Sequence, residues 1–216
     1  MRIFPLSMLL VAGVLALSGC VETRFESPLG DNIETCDARW KGLWFDADES
    51  AQDRERSVTA FHVDDGCEFT LIEQPEPGGA LKRTRVPINY VHAGGNDYLV
   101  VSDAAVRGMV QLDPPYDIDP PPAKTFFFAS YRVRGDRIEV RKVDSAKTAK
   151  LVIDGKIDGT VQKGRNDLHV FVRGGRAQML ELVRKHDVFE SDPSIRFKRS
   201  KQDLQDFERS LAKGKH

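Results

Sequence analysis

The sequence predicts an α+β protein that is mainly antiparallel β-structure, with about eight short strands arranged as a barrel or a curved sheet. Two or three helices are expected in the C-terminal half. Apolar and polar residues alternate in most segments before residue 143, at the period of two that is typical of strands. Later segments have apolar residues at helical spacing. Short turns rich in glycine and aspartate join the alternating segments, which favours antiparallel neighbours.

The predicted strands follow one another closely along the chain. In order, they cover residues 41–45, 57–63, 67–73, 84–91, 98–101, 125–133, 137–143 and 168–172. Turn residues at 64–66 (DDG), 94–95 (GG) and 135–136 (GD) predict hairpins. Pro87 cannot donate a hydrogen bond to a neighbouring strand, so the strand that contains it should lie at an edge or carry a bulge.

Three segments are expected to be helical. Residues 144–153 begin with a capping signal and stop near Gly155, although a hairpin over 144–157 is the alternative there. Residues 175–186 form an amphipathic pattern at helical spacing. Residues 201–212 do the same, and Ser200 with Asp203 resembles a capping box before them.

Residues 1–20 carry the pattern of an export signal followed by a lipidation site. Arg2 supplies a positive charge, and residues 8–17 are an unbroken apolar run, too short for a membrane span of about 20 residues. Residues 17–20 (LSGC) then resemble the lipobox of bacterial lipoprotein precursors. The resemblance implies that residues 1–19 are removed as a signal peptide and that Cys20 receives acyl chains such as palmitate. An ordinary secretory signal is the alternative.

Lipidation at Cys20 would place the protein in the cell envelope. A single acyl chain binds a membrane only marginally, and stable anchoring needs two membrane-binding signals. Two or three acyl chains on Cys20 would meet that requirement. By resemblance to enterobacterial sorting, retention in the inner membrane requires Asp after the modified cysteine. Val21 therefore favours the outer membrane, with the protein facing the periplasm.

The mature chain is predicted to have three parts. Residues 20–35 are polar and include Pro28, so they are expected to form a lipidated tether. Residues 36–199 should form a β-rich globular domain. Residues 200–216 should form a C-terminal helix and tail.

The other two cysteines, Cys36 and Cys67, predict a disulfide bond. The periplasm is oxidising, and lipidation of Cys20 leaves only this pair. Closing a loop of about 31 residues stabilises a domain by about 3–4 kcal/mol in the chain-entropy model. A metal or redox pair is the alternative, but the chain has no CxxC motif.

Two further resemblances concern the body of the chain. Residues 42–44 (GLW) resemble the Gly-x-Trp signature of lipocalins, and residues 96–98 (NDY) are similar to their second signature. In lipocalins the tryptophan seals the closed end of the barrel, so the resemblance implies a lipocalin-like barrel. Residues 126–189 are similar to a family of small uncharacterised proteobacterial proteins, which implies a fold but no activity.

No local motif predicts a catalytic residue, a metal or a cofactor. The five histidines form no zinc-binding pattern, and the chain has no GxSxG elbow or glycine-rich phosphate loop. The near balance of 32 basic and 33 acidic residues argues against a nucleic-acid partner. We therefore expect a non-enzymatic envelope lipoprotein that binds a small apolar ligand or an envelope protein. A hydrolase with a dispersed active site is the alternative.

Phe126 and Phe128 are the candidate contacts for a partner. They lie on the face of strand 125–133 opposite to Phe127, and form either an exposed aromatic patch or, if helices cover them, part of the core. Residues 113–123 contain five prolines and predict a stiff exposed loop. Basic residues from Arg196 onward predict a solvated face that could touch anionic lipid.

Overall fold

The computed structural model describes residues 21–50, 57–106, 122–164 and 167–212. These residues form an α+β structure of twelve strands and four helices, and most neighbouring strands are antiparallel. The strands are β1 (Val21–Phe25), β2 (Gly42–Asp46), β3 (Val58–Val63), β4 (Phe69–Gln74), β5 (Lys82–Arg85), β6 (Asn89–Ala93), β7 (Asn96–Ser102), β8 (Phe126–Arg134), β9 (Arg137–Lys142), β10 (Gly159–Lys163), β11 (Leu168–Val172) and β12 (Ile195–Arg199). The helices are α1 (Asp103–Val106), α2 (Ser145–Ile153), α3 (Arg176–Lys185) and α4 (Leu204–Ala212), and a 3₁₀ turn covers Ala38–Trp40.

All twelve strands belong to one sheet. Its main path runs β10-β11-β1-β8-β9-β12-β2-β3-β4-β5, and β7 pairs with the other edge of β8 and with β6. Among the described strands, β1 and β11 are the only neighbours that run parallel to each other. Within the described ranges, β5 pairs only with β4, and β10 only with β11. The sheet is therefore open.

The predicted class is confirmed, but the predicted barrel of about eight strands is wrong. The difference arises because two strands insert between neighbours that are distant in the sequence. β12 lies between β9 and β2, and β1 lies between β11 and β8. Neither insertion follows from hairpin turns, which join only consecutive strands.

The tether predicted for residues 20–35 is wrong for residues 21–25, because these residues form strand β1 of the sheet. Val21 lies beside Leu168, and the pairing continues to Phe25 beside Val172. Phe25 and Leu29 are fully buried. Two of the charged residues that suggested a tether, Glu22 and Arg24, are instead buried and paired with each other. The sheet therefore already includes Val21, the first residue that the structure describes.

Several predicted turns and helix ends are confirmed. Gly135 has a φ of +59° in the β8–β9 turn, a value that suits glycine, and Val133 lies opposite Ile138. The carboxylate of Asp144 accepts hydrogen bonds from the backbone of residues 146 and 147, so 145–153 is a helix and not a hairpin. Asp203, not Ser200, caps α4, because its carboxylate accepts the backbone N–H of residue 206.

Pro87 interrupts the strand that was predicted over residues 84–91. β5 ends at Arg85 and β6 begins at Asn89, and the two strands pair with different neighbours. The missing N–H of proline explains why the ladder stops there.

The central apolar cluster fills one face of the sheet. Trp40 lies at its centre, with ring centroids 5.2 to 6.5 Å from those of four aromatic residues. These neighbours are Phe61, Phe69, Tyr90 and Tyr131. They come from β3, β4, β6 and β8, so strands from both halves of the sheet pack against one indole. Phe127, Ile138 and Val140 belong to the same cluster, as the sequence predicts.

Helices cover the other face of the sheet in two places. α2 and α3 pack on a cluster that includes Phe128, whose ring stacks on Phe25 at 4.0 Å. Phe207 and Leu211 of α4 pack on a third cluster with strands β2–β4. Phe128 is buried and Phe126 is partly buried. Of the two alternatives for this pair, the structure supports a role in the core.

The predicted disulfide bond between Cys36 and Cys67 is present. The two Cα atoms are 5.2 Å apart, within the range that a disulfide spans. The bond joins the segment before the 3₁₀ turn to the β3–β4 connection.

Three of the sequence predictions fall on residues outside the described ranges. These are the signal peptide, Cys20 and residues 113–121 of the proline-rich loop. None of the described helices has the length and apolar character needed to cross a bilayer.

Candidate functional site

Six polar side chains meet at one end of the sheet, close to the disulfide bond. We call them the Arg39 cluster, and its members are Glu34, Asp37, Arg39, His92, Asp97 and Tyr131. Strand register places three of them together. His92 on β6 lies opposite Asp97 on β7, and Asp97 lies opposite Tyr131 on β8. Residues directly opposite on antiparallel strands have Cβ atoms about 4.5–5.5 Å apart.

Local backbone structure positions the remaining members. The backbone N–H of Glu34 donates to Tyr90 O at 2.8 Å, and Tyr90 N donates back to Glu34 O at 2.7 Å. Asp37 caps the 3₁₀ turn, because its Oδ1 accepts from Arg39 N at 2.9 Å. The disulfide at Cys36 lies between these two attachments. The segment is thus fixed at both ends.

Arg39 bridges two carboxylates. Its Nε donates to Asp37 Oδ1 at 3.0 Å and its Nη2 to Asp37 Oδ2 at 2.7 Å, which is the bidentate geometry that favours arginine. Its Nη1 donates to Asp97 Oδ2 at 2.9 Å. Tyr131 Oη donates to Asp37 Oδ2 at 2.5 Å. Arg39 is 44% exposed, whereas Asp37 is only 5% exposed.

These contacts determine which members of the cluster are ionised. Burial alone would raise the pKa of Asp37, but hydrogen bonds from Arg39 and Tyr131 hold it below its usual value. In Asp97 the same burial effect is outweighed by hydrogen bonds from Arg39 and His92, which lower the pKa. Burial and the adjacent Asp37 carboxylate raise the pKa of Tyr131. Both aspartates are therefore charged at neutral pH, and Tyr131 stays a hydrogen-bond donor.

His92 is the only imidazole in the Arg39 cluster. Its Nδ1 is 2.7 Å from Asp97 Oδ1, a contact that orients the imidazole. Its Nε2 faces two other carboxylates, at 3.8 Å from Glu34 Oε2 and 3.9 Å from Asp37 Oδ2. Its nearest neighbours on the Nε2 side are acceptors and not a nucleophile.

Metal chemistry receives no support from the described part of the chain. No group of three or more His, Cys, Asp or Glu side chains there has the arrangement of a metal site.

A second candidate is a small cleft between α3 and the end of β11. Its volume is about 250 Å³, and Val172, Met179 and Leu182 contribute apolar surface. Ligand pockets for drug-sized molecules have about 300–1,000 Å³, so this cleft is small for one. Lys185 beside it is paired with Glu181 at 2.5 Å.

The residues that the sequence analysis proposed as site residues do not belong to the Arg39 cluster. Phe126 and Phe128 lie in the core under α2 and α3. Cys36 and Cys67 form the adjacent disulfide. The Arg39 cluster was not predicted, although one signal for it exists. The two-residue turn expected at 94–95 already places His92 opposite Asp97.

Comparison with known proteins identifies no relative. The sequence matches no protein-family model and no curated protein, and the fold matches no solved structure. The lipobox and the other resemblances remain predictions from short motifs.

Acid is expected to destabilise the domain through Asp37. The pKa of its carboxyl is lower in the folded chain than in the unfolded chain, where it is about 3.9. Stability from the ionised carboxylate is therefore present above pH ~4 and is lost as the pH falls through the folded-state pKa. Asp37→Asn should melt at a lower temperature than the wild type at neutral pH. The two melting temperatures, measured by circular dichroism, should converge as the pH falls.

Asp136→Asn is the matched control, because Asp136 is an exposed turn residue. Its melting curve should follow the wild type at every pH. A difference between Asp37→Asn and the wild type that stays constant from neutral to acidic pH would contradict the prediction.

Proposed function

We propose that this chain is a lipid-anchored, non-enzymatic protein of the bacterial cell envelope that binds a partner protein. The observation that carries the proposal is the LSGC motif at residues 17–20 after a short apolar run. The position of β1 supports it, because a strand that begins at Val21 would hold the domain next to a lipidated Cys20. The Cys36–Cys67 disulfide fits an oxidising compartment.

Outer-membrane attachment facing the periplasm is part of the proposal. It depends on Val21, which replaces the Asp that retention in the inner membrane needs by resemblance to enterobacterial sorting.

A protein partner is favoured over a small apolar ligand because of the core. A lipocalin-like carrier needs an apolar cavity, yet Trp40 and Trp44 are fully buried, and aromatic rings pack around them. Close packing of this kind leaves the centre of the sheet occupied by side chains.

Cys20→Ser tests the anchor. The serine hydroxyl cannot replace the thiol that takes the lipid, so the variant should remain an uncleaved precursor and should not incorporate radioactive palmitate. Ser18→Ala is the control, because it keeps a small residue before the cysteine and should be processed normally. Normal processing of Cys20→Ser would refute the proposal.

A hydrolase remains the second candidate, favoured by the contact between His92 and Asp97. His92→Gln tests it in assays with ester and peptide substrates. The first proposal expects no hydrolysis by the wild type. Turnover by the wild type that His92→Gln abolishes, with an unchanged melting temperature, would establish the hydrolase instead.

A further inference from the structure

None of the described helices covers the sheet over β9, β12 and the end of β8, on the face against which the helices pack. Tyr131, Val140 and Phe197 point into the central cluster, so alternate residues on these strands point to the opposite face. That face is covered by α2 and α3 on one side and by α4 on the other. Between them lies a surface that we call the basic face, formed by the exposed side chains Arg132, Arg134, Arg137, Arg196 and Lys198.

Strand register aligns these cations in rows. Arg134 lies opposite Arg137, and Arg137 lies opposite Lys198, so three positive side chains form a row across three strands. Like charges directly opposite one another destabilise a sheet. In the described part of the chain, none of these three cations has a carboxylate partner within ion-pair distance. The like charges in the row therefore repel one another, and no ion pair among the described residues offsets that repulsion.

Acidic residues on this surface are few. Glu139 lies between Arg132 and Arg196 in the next row, and Asp136 lies in the β8–β9 turn. Arg196 is also 3.4 Å from Asp48. The whole chain has a net charge of −1, so this concentration of cations does not follow from a basic composition.

The start of β1 is directed towards the same end of the sheet as the basic face. β8 runs antiparallel to β1, with Phe126 beside Phe25, so Val21 is directed towards the end at which β8 finishes and β9 starts. The row of Arg134, Arg137 and Lys198 is at that end. Consecutive Cα atoms are about 3.8 Å apart, so an acyl chain on Cys20 would start next to β1.

We propose that the basic face docks on the anionic headgroups of the membrane in which Cys20 is anchored. This inference rests on the proposed lipid anchor. A cation near an anionic lipid surface strengthens binding by roughly fivefold. The row of three cations, together with an anchor before β1, fixes one orientation of the sheet on the bilayer. A nucleic acid fits less well, because it requires a strongly basic domain and the anchor keeps this face at a membrane.

The test uses the mature chain, lipidated on Cys20, in vesicles of phosphatidylcholine alone or in an equal mixture with phosphatidylglycerol. Phenylglyoxal modifies accessible arginines, and mass spectrometry gives the rate at each one. Arg134 and Arg137 should react several-fold more slowly in the anionic vesicles, and high salt should abolish the difference. Arg83 on the edge strand β5 should react at the same rate in both.

Charge-matched variants separate the row from general electrostatics. Arg134→Gln, Arg137→Gln and Lys198→Gln together should abolish the protection of Arg132 in anionic vesicles. The control combines Lys150→Gln, Lys156→Gln and Lys185→Gln, which remove the same charge from α2, its following turn and α3. That control should keep the protection.

Equal modification of Arg134 and Arg137 in both kinds of vesicle would overturn the proposal. The proposal would also be overturned if soluble polyphosphate, added to the protein in phosphatidylcholine vesicles, slowed the modification of Arg134 and Arg137 as much as anionic vesicles do. The basic face would then recognise polyanions in general. The mass of the Cys20 peptide reports the anchor separately. A chain without lipid on Cys20 would refute the anchor, and its labelling in anionic vesicles would still report on the basic face.

Discussion

Trp40→Ala is expected to leave the domain unfolded or barely folded. Trp40 is 1% exposed, and its ring packs against four other aromatic residues that come from four different strands. Truncation of a buried tryptophan or phenylalanine to alanine costs about 3–5 kcal/mol, because it removes apolar contacts and leaves a cavity. A single domain has only about 5–15 kcal/mol of stability in total. Urea denaturation followed by circular dichroism measures the loss.

Three further variants test whether lost packing in the central cluster causes that destabilisation. Trp40→Phe should cost much less, because it keeps a ring at the centre and because the indole N–H has no hydrogen-bond partner to lose. Phe127→Ala, in the same cluster, should also cost about 3–5 kcal/mol. Phe126→Ala is the control at a partly buried position and should cost less. A Trp40→Ala protein as stable as Phe126→Ala would show that the cluster is not the centre of the core.

Local sequence signals predict those parts of the fold whose partners are close in the chain. The β8–β9 hairpin needs only alternation and a glycine turn, and α2 needs only a cap at Asp144 and helical spacing. β12 was missed, although Ile195 and Phe197 alternate with charged residues. Five residues without a hairpin turn give a weak signal, and their partners in β2 are about 150 positions away.

The same distinction applies to the Arg39 cluster. The turn at 94–95 fixes the pairing of His92 with Asp97, so two of the six members of the cluster are placed by local sequence. Arg39 and Asp37 reach the site only because the sheet brings β8 next to β7 and the disulfide fixes the segment before the 3₁₀ turn. No spacing in the sequence expresses that contact. Composition is also a poor guide at β1, where charged residues indicate exposure but are buried.

The charges of β1 lead to the second large effect, which is expected for Glu22→Ala. Glu22 and Arg24 are 8% and 3% exposed, and Arg24 Nη2 donates to Glu22 at 2.9 Å. The Arg24 guanidinium also lies 5.7 Å from the centre of the Phe127 ring. Removing one partner of a buried ion pair leaves the other charge without compensation, which costs about 3–5 kcal/mol. Glu22→Ala should therefore lower the free energy of unfolding by about that amount.

A double variant distinguishes the loss of the pair from a simple loss of packing. Glu22→Leu with Arg24→Met replaces both charges by apolar groups of similar size, an exchange that is often neutral or stabilising. The double variant should therefore be more stable than Glu22→Ala, as measured by urea denaturation of both. Asp154→Ala is the control for an ion pair at the surface, since Lys150 and Asp154 are 2.8 Å apart on an exposed helix end. That exposed pair should contribute little to stability, because solvent and salt screen it. The prediction would be contradicted if Glu22→Ala were no more destabilising than Asp154→Ala. Arg24 would then reach solvent easily, and β1 would be the loosely held tether that its composition suggests.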